Sequence, residues 1–262
     1  MNTTFTVDEI VATLKRSSLP TILVEGKDDM IVYRQMERFF GTTKVNFMPC
    51  GGRGTLLKVF ERRGEFSNII TFFIADKDMW VFETTPIEYN EVLFTTGYSL
   101  ENDLYMDGKY LLDGLLDTNE LVTKSDILKN IVEWYAFETE AYFNGNAPEF
   151  AKISFLNENI MAKNSAKFTT DFLKKCNFKK PNERLYHDIL ENYDIKLRGK
   201  FIFQIYIKIF LHFRKINNND AIVFSDTQLY ELCYREGVKT SNQNTCMQRI
   251  MSAIKQHFPI KD

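Results

Sequence analysis

Apolar positions along the chain follow two alternating periods. Val7, Ile10, Val11 and Leu14 fall at helical spacing, Ser17, Ser18 and Pro20 interrupt them, and the β-rich run Thr21-Ile22-Leu23-Val24 follows. Asp28 and Asp29 open a second helical pattern, Ile31, Val32, Met36, Phe39 and Phe40, which ends at Gly41; acids in a first turn suit the helix dipole. Lys44 to Met48 predicts a strand, Pro49 to Gly54 a turn, and Thr55 to Arg63 an amphipathic helix with Gly64 as its cap. Ile69 to Ala75 is apolar nearly throughout, the pattern of a strand buried on both faces of a parallel sheet. Glu91 to Thr95 predicts one more short strand.

From Leu121 onward the pattern turns helical, over Ile127–Phe137, Phe155–Met161, Phe168–Cys176, Leu185–Leu190, Phe201–Phe213, Thr227–Glu236 and Thr245–His257. The expected fold is therefore α/β, a Rossmann-like parallel sheet flanked by helices, followed by a mainly α-helical C-terminal region. The divide is expected near Asp117, giving domains 1–117 and 118–262. No internal repeat and no Pro/Gly/Ser-rich linker marks it.

Composition narrows the class. A chain of 262 residues with 44% hydrophobic and 26% charged residues has the balance of a globular protein and is long enough for a sizeable core. Its most apolar stretch, Phe201 to Phe213, is broken by Gln204, Lys208 and His212 and falls short of the roughly 20 residues a spanning helix needs. With no basic and apolar leader at Met1–Val11, a cytoplasmic protein without membrane contact is expected. Cys50, Cys176, Cys233 and Cys246 are too scattered for a zinc module, and His187, His212 and His257 read as packing or surface residues. The net charge of -2 conceals an asymmetry: residues 1–120 carry 19 acids and 12 bases, residues 121–262 carry 16 acids and 21 bases. Lys163 to Lys215 alone has 13 Lys or Arg against five acids. That stretch either meets a polyanion or simply solvates helix faces.

The candidate chemistry lies at strand ends. Glu25 follows the first predicted strand in Val24-Glu25-Gly26-Lys27-Asp28-Asp29, and Asp76-Lys77-Asp78 follows the third. Sites in open α/β sheets collect at the carboxyl ends of strands, which puts Glu25 and Asp76 on one edge. The two-residue period of extended chain would point Asp76 and Asp78 one way and Lys77 the other. Three converging carboxylates require compensation, and hard oxygen donors without thiolate or imidazole suit Mg²⁺ or Mn²⁺. Gly51-Gly52-Arg53-Gly54 before a helix is either a phosphate cradle or a tight turn.

From Thr21 to about Asp103 the chain resembles the Toprim domain, the metal-binding α/β unit of topoisomerases, primases, recombination mediators and the OLD (overcoming lysogenization defect) nucleases. It is most similar to a bacterial Toprim-like family with the motifs V-E-G-x-x-D, D-x-D, S-x-E-N and R-G-K, which stand here as Val24–Asp29, Asp76–Asp78, Ser99-Leu100-Glu101-Asn102 and Arg198-Gly199-Lys200. The resemblance implies that Glu25 ligates metal or acts as general base and that Asp76 and Asp78 are ligands. Glu101 would be a further ligand for a second ion; equally, Ser99, Asn102 and Asp103 read as an ordinary helix N-terminus. Lys77, Lys27, Arg53, Arg198 and Lys200 are candidates for stabilising charge on a transferring phosphate, although Arg198 and Lys200 also read as flank charges of a buried helix. The tyrosine domain of type I topoisomerases and the cysteine module of primases have no counterpart.

The implied function is a nuclease dependent on two Mg²⁺ or Mn²⁺ ions, acting on nucleic acid, with DNA ahead of RNA. A separate ATPase subunit and a role in bacterial defence are the expected context. The competing expectation is a non-catalytic Toprim-like module that binds nucleic acid or regulates such an ATPase.

Overall fold

The computed structural model describes residues 5–40, 44–147, 149–214, 223–239 and 244–258; Gly41 and Lys215 lie outside them. The chain divides into two compact units, Met1–Asp107 with Tyr234–Asp262, and Gly108–Cys233. A single divide near Asp117, with all of 118–262 in one domain, differs from this arrangement, because the last helix returns to the first unit.

Four short strands build the first unit: β1 (Thr21–Val24), β2 (Asn46–Pro49), β3 (Thr71–Ala75) and β4 (Leu93–Phe94). They form one parallel sheet in the order β2-β1-β3-β4, so the expected α/β architecture is present. Val24 lies level with Pro49 on one side and Ile74 on the other, and Ile74 with Leu93. Each connection between parallel strands must cross over; α-helices do so between β1 and β2 and between β2 and β3, whereas two 3-10 segments, Asp78–Phe82 and Ile87–Tyr89, lie between β3 and β4.

α1 (Val7–Arg16) starts at a capping box in which Thr6 and Glu9 satisfy each other's backbone N–H groups. Its Ile10 and Leu14, with Leu56 and Phe60 of α3 (Arg53–Glu61), bury Leu23, Phe73 and Ala75 on one face of the sheet. On the other face, Phe47 stacks on Tyr33 of α2 (Met30–Met36), and Phe72 meets His257 and Phe258 at the end of α11 (Cys246–His257). Side chains alternate across a strand, so neighbours such as Phe72 and Phe73 serve opposite layers. α4 (Leu100–Asp113) follows β4 and opens on Ser99, as the helix reading of that motif expects. α10 (Asp226–Gly237) precedes α11.

The second unit is helical. α5 (Thr118–Phe143) begins at a second capping box, Asp117 with Glu120, nine residues before the expected Ile127 start. α6 (Thr170–Lys175), α7 (Glu183–Glu191) and α8 (Tyr193–Lys196) lead to α9 (Gly199–His212), which is buried along most of its length. Trp134 of α5 packs its ring against Phe155, Phe168, Phe172 and Phe201 at centroid separations of 5.8–6.1 Å.

Phe155–Met161, expected as a helix, is irregular, and Met161 forms an antiparallel bridge with Phe168. The reason lies on α9: the Phe155 N–H donates to Gln204 Oε1 at 2.9 Å, while Lys208 Nζ donates to the carbonyls of Met161 at 3.1 Å and Ala162 at 2.8 Å. Side chains of a distant helix satisfy backbone groups that a local helix would otherwise have to satisfy.

Candidate functional site

The two inner strands, β1 and β3, deliver the acids to one edge. Because Val24 and Ile74 are level, the chain leaves both strands side by side at Glu25 and Asp76. The Asp76 N–H donates to Glu25 Oε2 at 3.3 Å, and the Gly52 N–H donates to the Glu25 carbonyl at 2.9 Å. Gly51 and Gly52 adopt φ of 82° and 135°, where an L side chain is strained. The glycine turn thereby commits the Gly52 donor to the protein, as a tight turn does, and brings in Arg53. The Arg53 Nη1 donates to the Lys77 carbonyl at 2.5 Å and lies 3.4 Å from Asp78 Oδ2, with its guanidinium 4.5 Å from the Trp80 ring centroid.

The D-x-D segment departs from the extended form expected of it. β3 ends at Ala75, and Asp78 takes φ of 48° before a single 3-10 turn, Asp78–Phe82. Its N–H donates to the Tyr98 carbonyl at 2.8 Å. A left-handed non-glycine residue costs about 1–2 kcal/mol, so surrounding contacts must hold it there. Lys77 is fastened in another direction: its N–H donates to Thr95 Oγ1 and its Nζ to the Thr96 carbonyl, both at 3.1 Å.

The segment after β4 closes the site. Asp76 Oδ1 accepts from Leu100 N–H at 2.9 Å and so caps α4, while Asn102 Oδ1 accepts from the Ser99 N–H at 3.0 Å. Glu101 is buried and accepts from Ser99 Oγ at 2.5 Å. Asp103 is fully buried; its carboxylate takes the N–H groups of Thr96 and Gly97 and faces Arg249 at 3.4 Å. Asp29, whose Oδ2 accepts from the Gly26 N–H at 3.0 Å, completes the cluster.

Within this cluster the effect of burial and of neighbouring charge falls on Asp76 and Glu25. Burial pushes Asp76 well up from the usual carboxylate range, and the charges of Asp29, Glu25, Glu101 and Asp78 push it further. Glu25 is pushed up to about 7, first by burial and then by Asp78, against the Asp76 N–H and Arg53. The buried Tyr33 phenol is raised too, by burial and then by Asp29, Asp76, Asp103 and Glu25. Arg53 offsets part of this negative charge.

The donor set is carboxylate oxygen throughout, and Glu25, Asp76, Asp78 and Glu101 fit Mg²⁺ or Mn²⁺ in chemistry. In position they are not gathered as a cage: among the described residues no group of three His, Cys, Asp or Glu side chains is arranged to hold an ion. Each of the four also meets a protein donor: the Asp76 N–H, the Leu100 N–H, the Arg53 guanidinium and the Ser99 hydroxyl.

The other expected residues are dispersed. Lys27 is exposed in the loop after β1. Arg198 and Lys200 belong to the second unit, where Arg198 Nη1 donates to the Phe150 carbonyl at 3.1 Å and the guanidinium lies 5.5 Å from the Phe201 ring, as a helix-flank charge does. His257 packs on Phe72, and its Nε2 lies 2.9 Å from the Thr71 carbonyl oxygen. Sequence reasoning assigned no role here to Asp29, although it is the last acid of V-E-G-x-x-D, nor to Asp103 and Arg249. Among the described residues no helix is long and apolar enough to cross a membrane. Searches against protein-family models and against curated proteins find no match for the chain.

Proposed function

We propose that the chain is a divalent-metal-dependent nuclease of Toprim and OLD-like type that hydrolyses phosphodiester bonds of DNA or RNA. One observation carries this reading: Glu25, Asp29, Asp76, Asp78 and Glu101 share one edge of the parallel sheet, where burial first and neighbouring carboxylates second raise Asp76 and Glu25. Folded proteins keep such a cluster where a cation compensates it.

Glu25, Asp76, Asp78 and Glu101 are the residues to hold Mg²⁺ or Mn²⁺, which when bound lowers the pKa of water and neutralises phosphate charge. Glu25 either ligates the metal in this way or takes a proton from the attacking water. Arg53, steadied on Trp80, supplies positive charge toward a phosphate at this edge. The basic stretch of the second unit, with Arg198 and Lys200, is assigned to the nucleic-acid backbone, read without sequence preference. A partner ATPase, a cytoplasmic location and a part in bacterial defence complete the proposal.

The test is incubation of the full chain with single- and double-stranded DNA and with RNA, in Mg²⁺ or Mn²⁺, beside Asp76→Asn/Asp78→Asn. Cleavage by the wild type alone is expected; undiminished cleavage by a folded double variant refutes the carboxylate mechanism.

The hydrogen bonds of Asp76 to Leu100, Glu25 to Asp76 and Glu101 to Ser99 favour a second reading, in which the acids staple loops in a non-catalytic module. That reading expects DNA affinity indifferent to chelation and no cleavage of any substrate.

A further inference from the structure

Beside the carboxylate edge, on the flank of β4, lies a cavity of about 510 Å³, within the ~300–1,000 Å³ range of small-ligand sites. Two cations line it, Lys77 and Arg249, and no acidic side chain among the described residues does. The backbone sets both in place. The Thr95 N–H pairs with the Ala75 carbonyl, and the carbonyls on either side of Thr95, those of Phe94 and Thr96, hold the two cations. Lys77 Nζ donates to Thr96 O at 3.1 Å and Arg249 Nη2 to Phe94 O at 2.9 Å. The acid paired with Arg249 is the fully buried Asp103, at 3.4 Å, which also accepts the N–H groups of Thr96 and Gly97.

The remaining walls are of two kinds. Thr96 and Asn90 are polar, whereas Tyr89 and Phe94 are aromatic and are both held against Trp80, at ring separations of 5.9 and 5.5 Å. A pair of cations beside fixed aromatic rings matches a ligand with an anionic head and a flat ring.

We propose that this cavity binds a nucleoside monophosphate, with Lys77 and Arg249 on the phosphate and the Tyr89–Phe94 wall against the base. The nucleotide is either free or the 5′-phosphorylated end of a polynucleotide. The assignment does not rest on the nuclease reading, and its test reads binding in EDTA, where cleavage plays no part.

The experiment is isothermal titration of the full chain with adenosine monophosphate, adenosine and inorganic phosphate, and with a tetranucleotide bearing or lacking a 5′-phosphate. Saturable binding of adenosine monophosphate is expected, with adenosine and inorganic phosphate each at least ~10-fold weaker. Lys77→Gln should weaken it by ~10-fold and Lys77→Arg by less than ~3-fold, both with an unaltered circular-dichroism spectrum. Competition by the phosphorylated tetranucleotide alone supports the chain end as ligand; competition by neither supports the free nucleotide. Absence of binding, binding indifferent to Lys77→Gln, or inorganic phosphate bound as tightly as the nucleotide overturns the proposal.

Discussion

Glu25→Gln removes the charge at the centre of the carboxylate edge, and with it both the burial penalty on that charge and its repulsion from Asp78. Glutamine keeps the shape and an oxygen to accept the Asp76 N–H, while it removes the charge and replaces the second carboxylate oxygen with an NH2 group. In the metal-free folded protein the Glu25 carboxyl is held at about 7, against 4.5 as its ordinary value. A carboxyl with a raised folded pKa binds its proton more tightly when folded. Its stabilising effect is therefore complete below about 4.5 and is lost progressively as the pH rises to about 7. At about 1.4 kcal/mol per pKa unit the full loss is about 3 kcal/mol, an upper figure because Asp76 and Asp78 relax when Glu25 is neutral. The assay is urea unfolding of wild type and Glu25→Gln in EDTA from pH 5 to 8. The advantage of the variant should grow with pH, reaching about 1–3 kcal/mol at pH 8, or roughly 2–12 °C in Tm. Mg²⁺ should close the gap by stabilising the wild type. A stability difference that stays flat within about 0.5 kcal/mol from pH 5 to 8 refutes the raised Glu25 carboxyl, and with it the main support for a cation at this edge.

Two further perturbations probe the scaffold. Asp107 of α4 accepts the N–H groups of Cys246 at 2.8 Å and Met247 at 2.9 Å, at the first turn of α11, and Asp107→Ala should cost about 1–2 kcal/mol. Hydrogen exchange should then quicken first over residues 246–258; uniform quickening of the unit would show that the cap is not the anchor. Lys208→Met keeps most of the buried volume but strips two carbonyls of their donor, at a cost of about 1–3 kcal/mol. A neutral or stabilising result in urea unfolding would mean that Met161 and Ala162 find other donors.

Much of the first unit was legible from periodicity. A nearly all-apolar run such as Ile69–Ala75 has few fates besides a strand buried on both faces, and β3 lies within it. Residues 7–16 form the first helix where three- and four-residue spacing placed it, and the helix expected over Thr55–Arg63 is present two residues earlier, at Arg53–Glu61. Glu25 and Asp76 could be located because strand ends can be read locally and parallel strands end on one edge. These signals are local: each follows from which positions must be buried, whatever buries them.

Other features depended on partners far away in sequence. Phe155–Met161 has apolar residues at helical spacing, yet Gln204 and Lys208 take its backbone groups and leave it irregular. The interruptions that ruled out a spanning helix at Phe201–Phe213 are the side chains that organise this loop. Asp78 turns left-handed because the Tyr98 carbonyl awaits its N–H, which no alternation of residues 76–78 could reveal. α11 joins the first unit because Phe72 and Asp107 offer it a ring and a cap. Periodicity reports that a face is covered; the identity of the cover, and the donor for each backbone group the strands and helices leave over, is settled only when the chain has closed on itself.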